Sequence, residues 1–176
     1  GLLDACLRVY LEINHDVYLD KGPNTFGYIS GLFNQSAALY NNLGIELTLS
    51  DMYIHDEENV YAGLITTDDL LAQFQANWGN YNGHLAGVLT YQLSGGLAAE
   101  LGGLCTGNAD DGMFVTEIYP DFLNIPAYSY SAMILTHEIG HLLGSQHTHA
   151  CAWSGGQQID DCGNVQAVAN GDTPEG

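Results

Sequence analysis

The sequence predicts a mixed α/β (α+β) domain in which helices pack on a mixed sheet. Three observations lead there. Stretches that read as strands and stretches with apolar residues at helical spacing follow one another in the order strand, helix, strand, helix, strand, strand, helix. The chain has 176 residues, enough for one sizeable core, and shows neither an internal repeat nor a composition break that would divide it. Apolar residues make up 46% and aromatic residues 10%, far outside the composition of disordered chains.

The elements follow from local patterning. Residues 6–14 (CLRVYLEIN) are β-prone and alternate in part, and Lys21-Gly22-Pro23-Asn24 reads as a turn. Over 25–43 the apolar positions Phe26, Ile29, Leu32, Phe33, Ala37 and Tyr40 recur at helical spacing, with Gly44 as the stop. Residues 45–54 alternate as a second strand. Thr66 or Thr67 can cap a helix over 67–78, where Asp68 and Asp69 suit the positive end of the helix dipole. Residues 85–92 (LAGVLTYQ) form a third strand, a Gly-rich stretch covers 94–107, and 113–118 (MFVTEI) form a short fourth strand. Pro120 and Pro126 break the segment between that strand and the last helix. Ser129 or Ser131 caps this helix, which reaches about Leu143, and 148–176 read as loop.

Charge narrows the partners. Twenty-one acidic residues stand against two basic ones, Arg8 and Lys21, for a net charge of −19. Such a surface repels nucleic acid and anionic membranes, which argues against both. The short clusters Asp56-Glu57-Glu58 and Asp110-Asp111 read as solvated surface. No run approaches the roughly 18 apolar residues of a membrane span. The chain starts at Gly1 with no basic n-region or apolar h-region, so a signal or pro-segment is expected to be already removed.

The four cysteines, Cys6, Cys105, Cys151 and Cys162, form no CxxC pair, which argues against a four-thiolate zinc site. Their even number, the scarcity of Lys and the many Gly, Asn and Tyr residues suit a secreted, extracellular protein with disulfides. Cys151 and Cys162 bracket a short Gly-rich loop that a disulfide would clip. Cys6 and Cys105 would then pair with each other, unless Cys105 pairs outside the chain.

The chemistry concentrates in His137-Glu138-Ile139-Gly140-His141-Leu142-Leu143-Gly144-Ser145-Gln146-His147. Positions i and i+4 share a helix face, so His137 and His141 can hold one metal ion from consecutive turns. Gly144 permits positive φ, which ends the helix and swings His147 round as a third ligand. Three neutral imidazoles leave one zinc position open, the arrangement of a catalytic site. Zinc lowers the pKa of a coordinated water from about 15.7 towards roughly 7 and polarises a carbonyl. Glu138, beside the pair, is the candidate general base that takes the proton from that water and later passes it to a leaving amine.

This H-E-x-x-H-x-x-G-x-x-H segment resembles the metzincin zinc metalloproteases. The flanking sequence from Thr136 through Trp153 (THEIGHLLGSQHTHACAW), and Ile159-Asp160-Asp161-Cys162-Gly163, looks like the bacterial reprolysin-like (adamalysin-type) branch. RVYLEIN, GLFNQ and GGLAAELGGLC upstream are similar too, so the resemblance covers nearly the whole chain, 1–176, as one catalytic domain. It implies a zincin fold: a twisted mixed sheet of about five strands, two long helices and a cleft across the front. It also implies that 85–92 is the edge strand, to which a peptide substrate adds in extended form. Thr148 follows the third His, where animal and venom relatives have Asp. The resemblance further implies a Met-containing turn beneath the zinc. Met52, Met113 and Met133 all precede His147, so the expectation is a domain cut or processed before that turn.

Other residues have plainer readings. His149 reads as a surface or supporting residue, with a fourth-ligand role as the lesser alternative; His15, His55 and His84 read as structural. Arg8 could pair with a carboxylate, and no catalytic role is expected of it. Tyr128 and Tyr130 read as core residues that could border a cleft. Asn34-Gln35-Ser36 matches a glycosylation pattern but lies in a predicted helix, and 94–107 lacks the Lys and spacing of a phosphate loop. The expected activity is secreted zinc endopeptidase. The competing expectation is a catalytically incomplete zincin that serves as a zinc-containing peptide-binding or structural module.

Overall fold

The computed structural model describes residues 6–104, 106–121, 123 and 129–161. The strands are β1 (Cys6–Ile13), β2 (Glu46–Ile54), β3 (Leu85–Thr90), β4 (Gly96–Ala98) and β5 (Met113–Glu117). The helices are α1 (His15–Lys21), α2 (Thr25–Asn41), α3 (Thr67–Asn77) and α4 (Tyr130–Leu142). They build the predicted mixed five-stranded sheet with helices, in the order β2-β1-β3-β5-β4. The pairs β1–β2, β1–β3 and β3–β5 are parallel, and β4 alone runs antiparallel, against β5.

The core divides by strand alternation. Val9, Leu11, Ile13, Leu85, Leu89 and Phe114 share one cluster with Ile29, Leu32, Phe33 and Tyr40 of α2 and Leu135, Ile139 and Leu142 of α4. Tyr10, Ala86, Val88, Met113 and Val115 share the other with Tyr61 and with Leu70, Leu71 and Phe74 of α3. Gly87 falls between Ala86 and Val88, where a Cβ would stand 2.2 Å from the Phe114 ring. Its hydrogen is what lets that ring lie flat on the sheet.

Helix ends obey the capping chemistry. Thr66 caps α3 by accepting from Asp69 N–H, and Ser129 caps α4 by accepting from Ala132 N–H. Ser131, the other candidate cap, instead accepts from Tyr119 N–H at 2.8 Å. Gly44 takes φ 77 just beyond α2, as its stop role requires. Helix α1 was not foreseen. It has seven residues with Val17 as its one buried side chain, too few for a periodic signal, and is started by the Asn14 side chain accepting from His15 N–H. The foreseen turn at Lys21 is its last residue, continued by a 3₁₀ turn over Gly22–Asn24.

One expectation is overturned: 85–92 is not the edge strand. β3 is hydrogen-bonded on both sides, to β1 and β5, and all six of its residues are buried. An unbroken apolar run such as LAGVLT is the mark of a central parallel strand. The edges among the described strands are β2 and, within the Gly-rich stretch, β4, whose three residues are too few for a propensity signal.

Beneath the α3 side, the fully buried Glu12 carboxylate accepts from Tyr61 Oη at 2.7 Å and Tyr10 Oη at 3.2 Å, and meets His55 Nε2 at 3.0 Å. Burial and this carboxylate push both phenols well above their usual range, so they stay donors. His55, His15 and His84 thus hold structural places: His15 Nδ1 meets His55 O, and His84 Nδ1 accepts from Arg8 N–H. Among the described residues the Arg8 guanidinium donates to Asn82 Oδ1 at 3.0 Å and meets no carboxylate. The expected Cys6–Cys105 and Cys151–Cys162 pairs involve residues outside the described ones, as does Tyr128. Cys6 Sγ lies 2.7 Å from Thr48 Oγ1. Among the described residues no helix is long and apolar enough to cross a membrane.

Gly87→Ala is expected to destabilise the fold by about 1–3 kcal/mol through overpacking against Phe114. Adding Phe114→Leu should recover part of that loss in urea unfolding, because the ring is the obstacle.

Candidate metal centre

Helix α4 carries the site, and its rotation is set by α2. Thr136, one residue before His137, meets Ser36 Oγ at 2.6 Å and donates to Ala132 O at 2.7 Å. Tyr40 Oη donates to Thr136 O at 2.7 Å. Ser36 is therefore buried in a helix interface, and the Asn34-Gln35-Ser36 pattern lies within α2. With Thr136 facing α2, the next residues face the opposite side, a cavity of about 510 Å³ whose lining includes His137, Glu138, His141 and His147.

The helix ends as the spacing predicts. Gly144 takes φ 94, and the turned chain returns His147 to the end of α4. The Gly-rich stretch completes the C-terminus of the helix: Gly102 N–H donates to His141 O at 2.8 Å and Leu104 N–H to Leu142 O at 3.1 Å. These bonds satisfy carbonyls that a helix end leaves without partners.

The three imidazoles converge. Their Nε2 atoms lie 2.8 Å (His137–His141), 3.1 Å (His137–His147) and 3.2 Å (His141–His147) apart. A tetrahedral zinc ion with Zn–N of about 2.0–2.1 Å holds its nitrogens roughly 3.3 Å apart, close to this triangle. Protonation agrees. The Ser145 carbonyl, 2.7 Å from His141 Nδ1, can only accept, so Nδ1 carries the proton and Nε2 turns its lone pair inward. Three converging Nε2 atoms at such distances, with the His141 lone pair turned inward, fit a shared cation. His137 is the outermost of the three, open to the cleft along one edge. Loss of hydration, followed by the like charges of His141, His147 and His149, holds its pKa down at about 4, so the ring is neutral at neutral pH.

The chain around His147 is pinned. Its carbonyl accepts from Trp153 Nε1 at 2.8 Å and from Ala150 N–H at 3.0 Å. Thr148 donates through Oγ1 to Asp160 Oδ1 at 3.0 Å and accepts Ile159 N–H on its carbonyl at 2.7 Å, closing the loop beyond it. His149 stacks on the His147 ring, centroids 4.9 Å apart, and stays outside the converging three. Trp153 was not foreseen, since one aromatic residue in a loop carries no periodic signal.

Glu138 is 3% exposed and lies in the same cavity wall. Strand β4 forms another part of the wall, joined by Tyr130 and Met133, which are 38% and 55% exposed. Tyr130 is thus a cleft residue in place of the core residue expected; it stacks on Tyr119 with centroids 4.8 Å apart.

Gly144→Ala is expected to cost about 1–2 kcal/mol through the left-handed backbone. It should also weaken metal binding by roughly tenfold in chelator competition as His147 shifts. In metal-free protein, the unfolded chain protonates His137 near 6.5 and the folded chain only near 4. Stability from this group is thus complete above about 6.5 and lost as pH falls towards 4, because the unfolded state binds the proton first. Urea midpoints of chelator-treated protein should decline across that window, and His137→Ala should flatten the decline.

Among curated proteins none matches the chain. Residues 7–173, by contrast, match a reprolysin-type family profile described as metallo-peptidase family M12. Nearly the whole chain is covered, and its three histidines meet as a zinc site of that class requires; the protein belongs to metallo-peptidase family M12 and is a zinc metalloendopeptidase by descent.

Proposed function

We propose that the protein is a secreted endopeptidase in which His137, His141 and His147 hold zinc and Glu138 is the general base. The observation that carries this reading is the triangle of three Nε2 atoms 2.8–3.2 Å on a side, sharing one cleft with a buried carboxylate. When bound, zinc acidifies a water molecule and polarises the scissile carbonyl.

The chain's own residues supply the rest. The proton on His141 Nδ1, held by Ser145 O, keeps Nε2 free for the metal. Glu138, shielded from bulk water, takes a proton from the attacking water and returns it to the leaving amine. Among the described residues strand β4 is bonded to β5 on one side only, and its other edge is where an extended peptide would add as a further strand. Tyr130 and Met133 offer that peptide apolar surface. Export is supported by four cysteines and the near absence of Lys and Arg.

The experiment is zinc analysis and peptide-library cleavage by the full-length gene product, beside Glu138→Gln. One zinc per chain is expected in both. The variant's kcat should fall by about 10²–10⁴-fold, the usual contribution of a general base. Equal cleavage by both proteins would refute the base, and zinc binding without cleavage by either would favour a binding module.

A further inference from the structure

Strand β4 does more than border the cleft. A Cβ on Gly96 would stand 2.5 Å from Glu138 Oε1 and 2.7 Å from its Cγ and Cδ. Nothing in the backbone of Gly96 requires glycine, because its φ lies outside the left-handed region. Its neighbour Gly95 is the reverse case, with φ 83 and open space where a Cβ would be. Gly95 serves a turn; Gly96 serves a contact.

The backbones on both sides of that contact are tied in place. Gly95 N–H donates to Glu117 Oε2 at 3.1 Å, and Glu117 N–H donates to Gly95 O at 2.8 Å. Gly96, Leu97 and Ala98 pair in register with Thr116, Val115 and Phe114, and Ala99 N–H closes the ladder on Met113 O. Opposite, α4 is held to α2 through Thr136, Ser36 and Tyr40. The movable partner is the end of the Glu138 side chain.

We propose that Gly96 is a positioning residue: the missing Cβ is a notch in the cleft's edge strand that seats the Glu138 side chain and sets where its carboxylate points. The proposal rests on Glu138 being the general base. It predicts an unusual variant, one that folds and binds zinc normally yet turns over slowly.

The test is Gly96→Ala in the full-length protein. A carboxylate displaced by about 1 Å should lower kcat roughly 100-fold, with KM changed less than about threefold. Zinc affinity by chelator competition and the thermal midpoint should stay at wild-type values. Glu138→Ala supplies the second arm, since it removes the Cγ, Cδ and Oε1 that a Cβ on Gly96 would meet. Adding Gly96→Ala to Glu138→Ala should lower the residual kcat by less than about threefold further, a non-additive pair. The proposal is overturned if Gly96→Ala keeps kcat near wild type, if its effect is equal in both backgrounds, or if zinc affinity and stability fall with it. Full activity of Glu138→Gln would instead overturn the assignment of the base, which separates the two failures.

Discussion

The structure turns on the docking of one helix. α4 must bury an apolar stripe, Leu135, Ile139 and Leu142, while directing two histidines and a glutamate into a cleft. A rotation of a few tens of degrees about the helix axis would bury the imidazoles or expose the stripe. Apolar packing alone sets such a rotation loosely, because it is non-directional. The hydrogen bonds from Ser36 and Tyr40 to Thr136 are directional, and they sit in the interface with α2. They define the angle from which His137, Glu138 and His141 project.

The Gly-rich segment is the second half of the site. Within a dozen residues it provides edge strand β4, accepts the Glu138 side chain at Gly96 and satisfies the last carbonyls of α4 through Gly102 and Leu104. Each task needs close approach of backbone to something else. At Gly103 a Cβ would stand 1.9 Å from Asp111 O, so this segment also packs tightly on the chain that leads into β5. Its composition is a record of distances, not of flexibility.

Two clusters of buried ionisable side chains meet partners of their own. Glu12 lies in a pocket of two phenols and an imidazole on the α3 side, and the His137–His141–His147 triangle lies in the cleft beside α4. An isolated charge in either place would be expensive, and each is met by several polar atoms.

The features that the sequence by itself determined were periodic or stoichiometric. The long helices and four of the strands were legible because each repeats its apolar spacing over many residues, and the histidine ligands because their spacing maps onto one helix turn plus a glycine stop. The edge strand was expected at 85–92, a position that proved central, because an apolar run reports burial and not which neighbours supply it. Helix α1, β4, the bond from Trp153 to His147 and the Gly96–Glu138 contact left no periodic pattern. Strand β4 and its contact with Glu138 depend on residues far apart in the chain meeting at a few ångströms. Only tertiary structure decides such meetings, because they are set by how whole elements pack and not by the residues beside them.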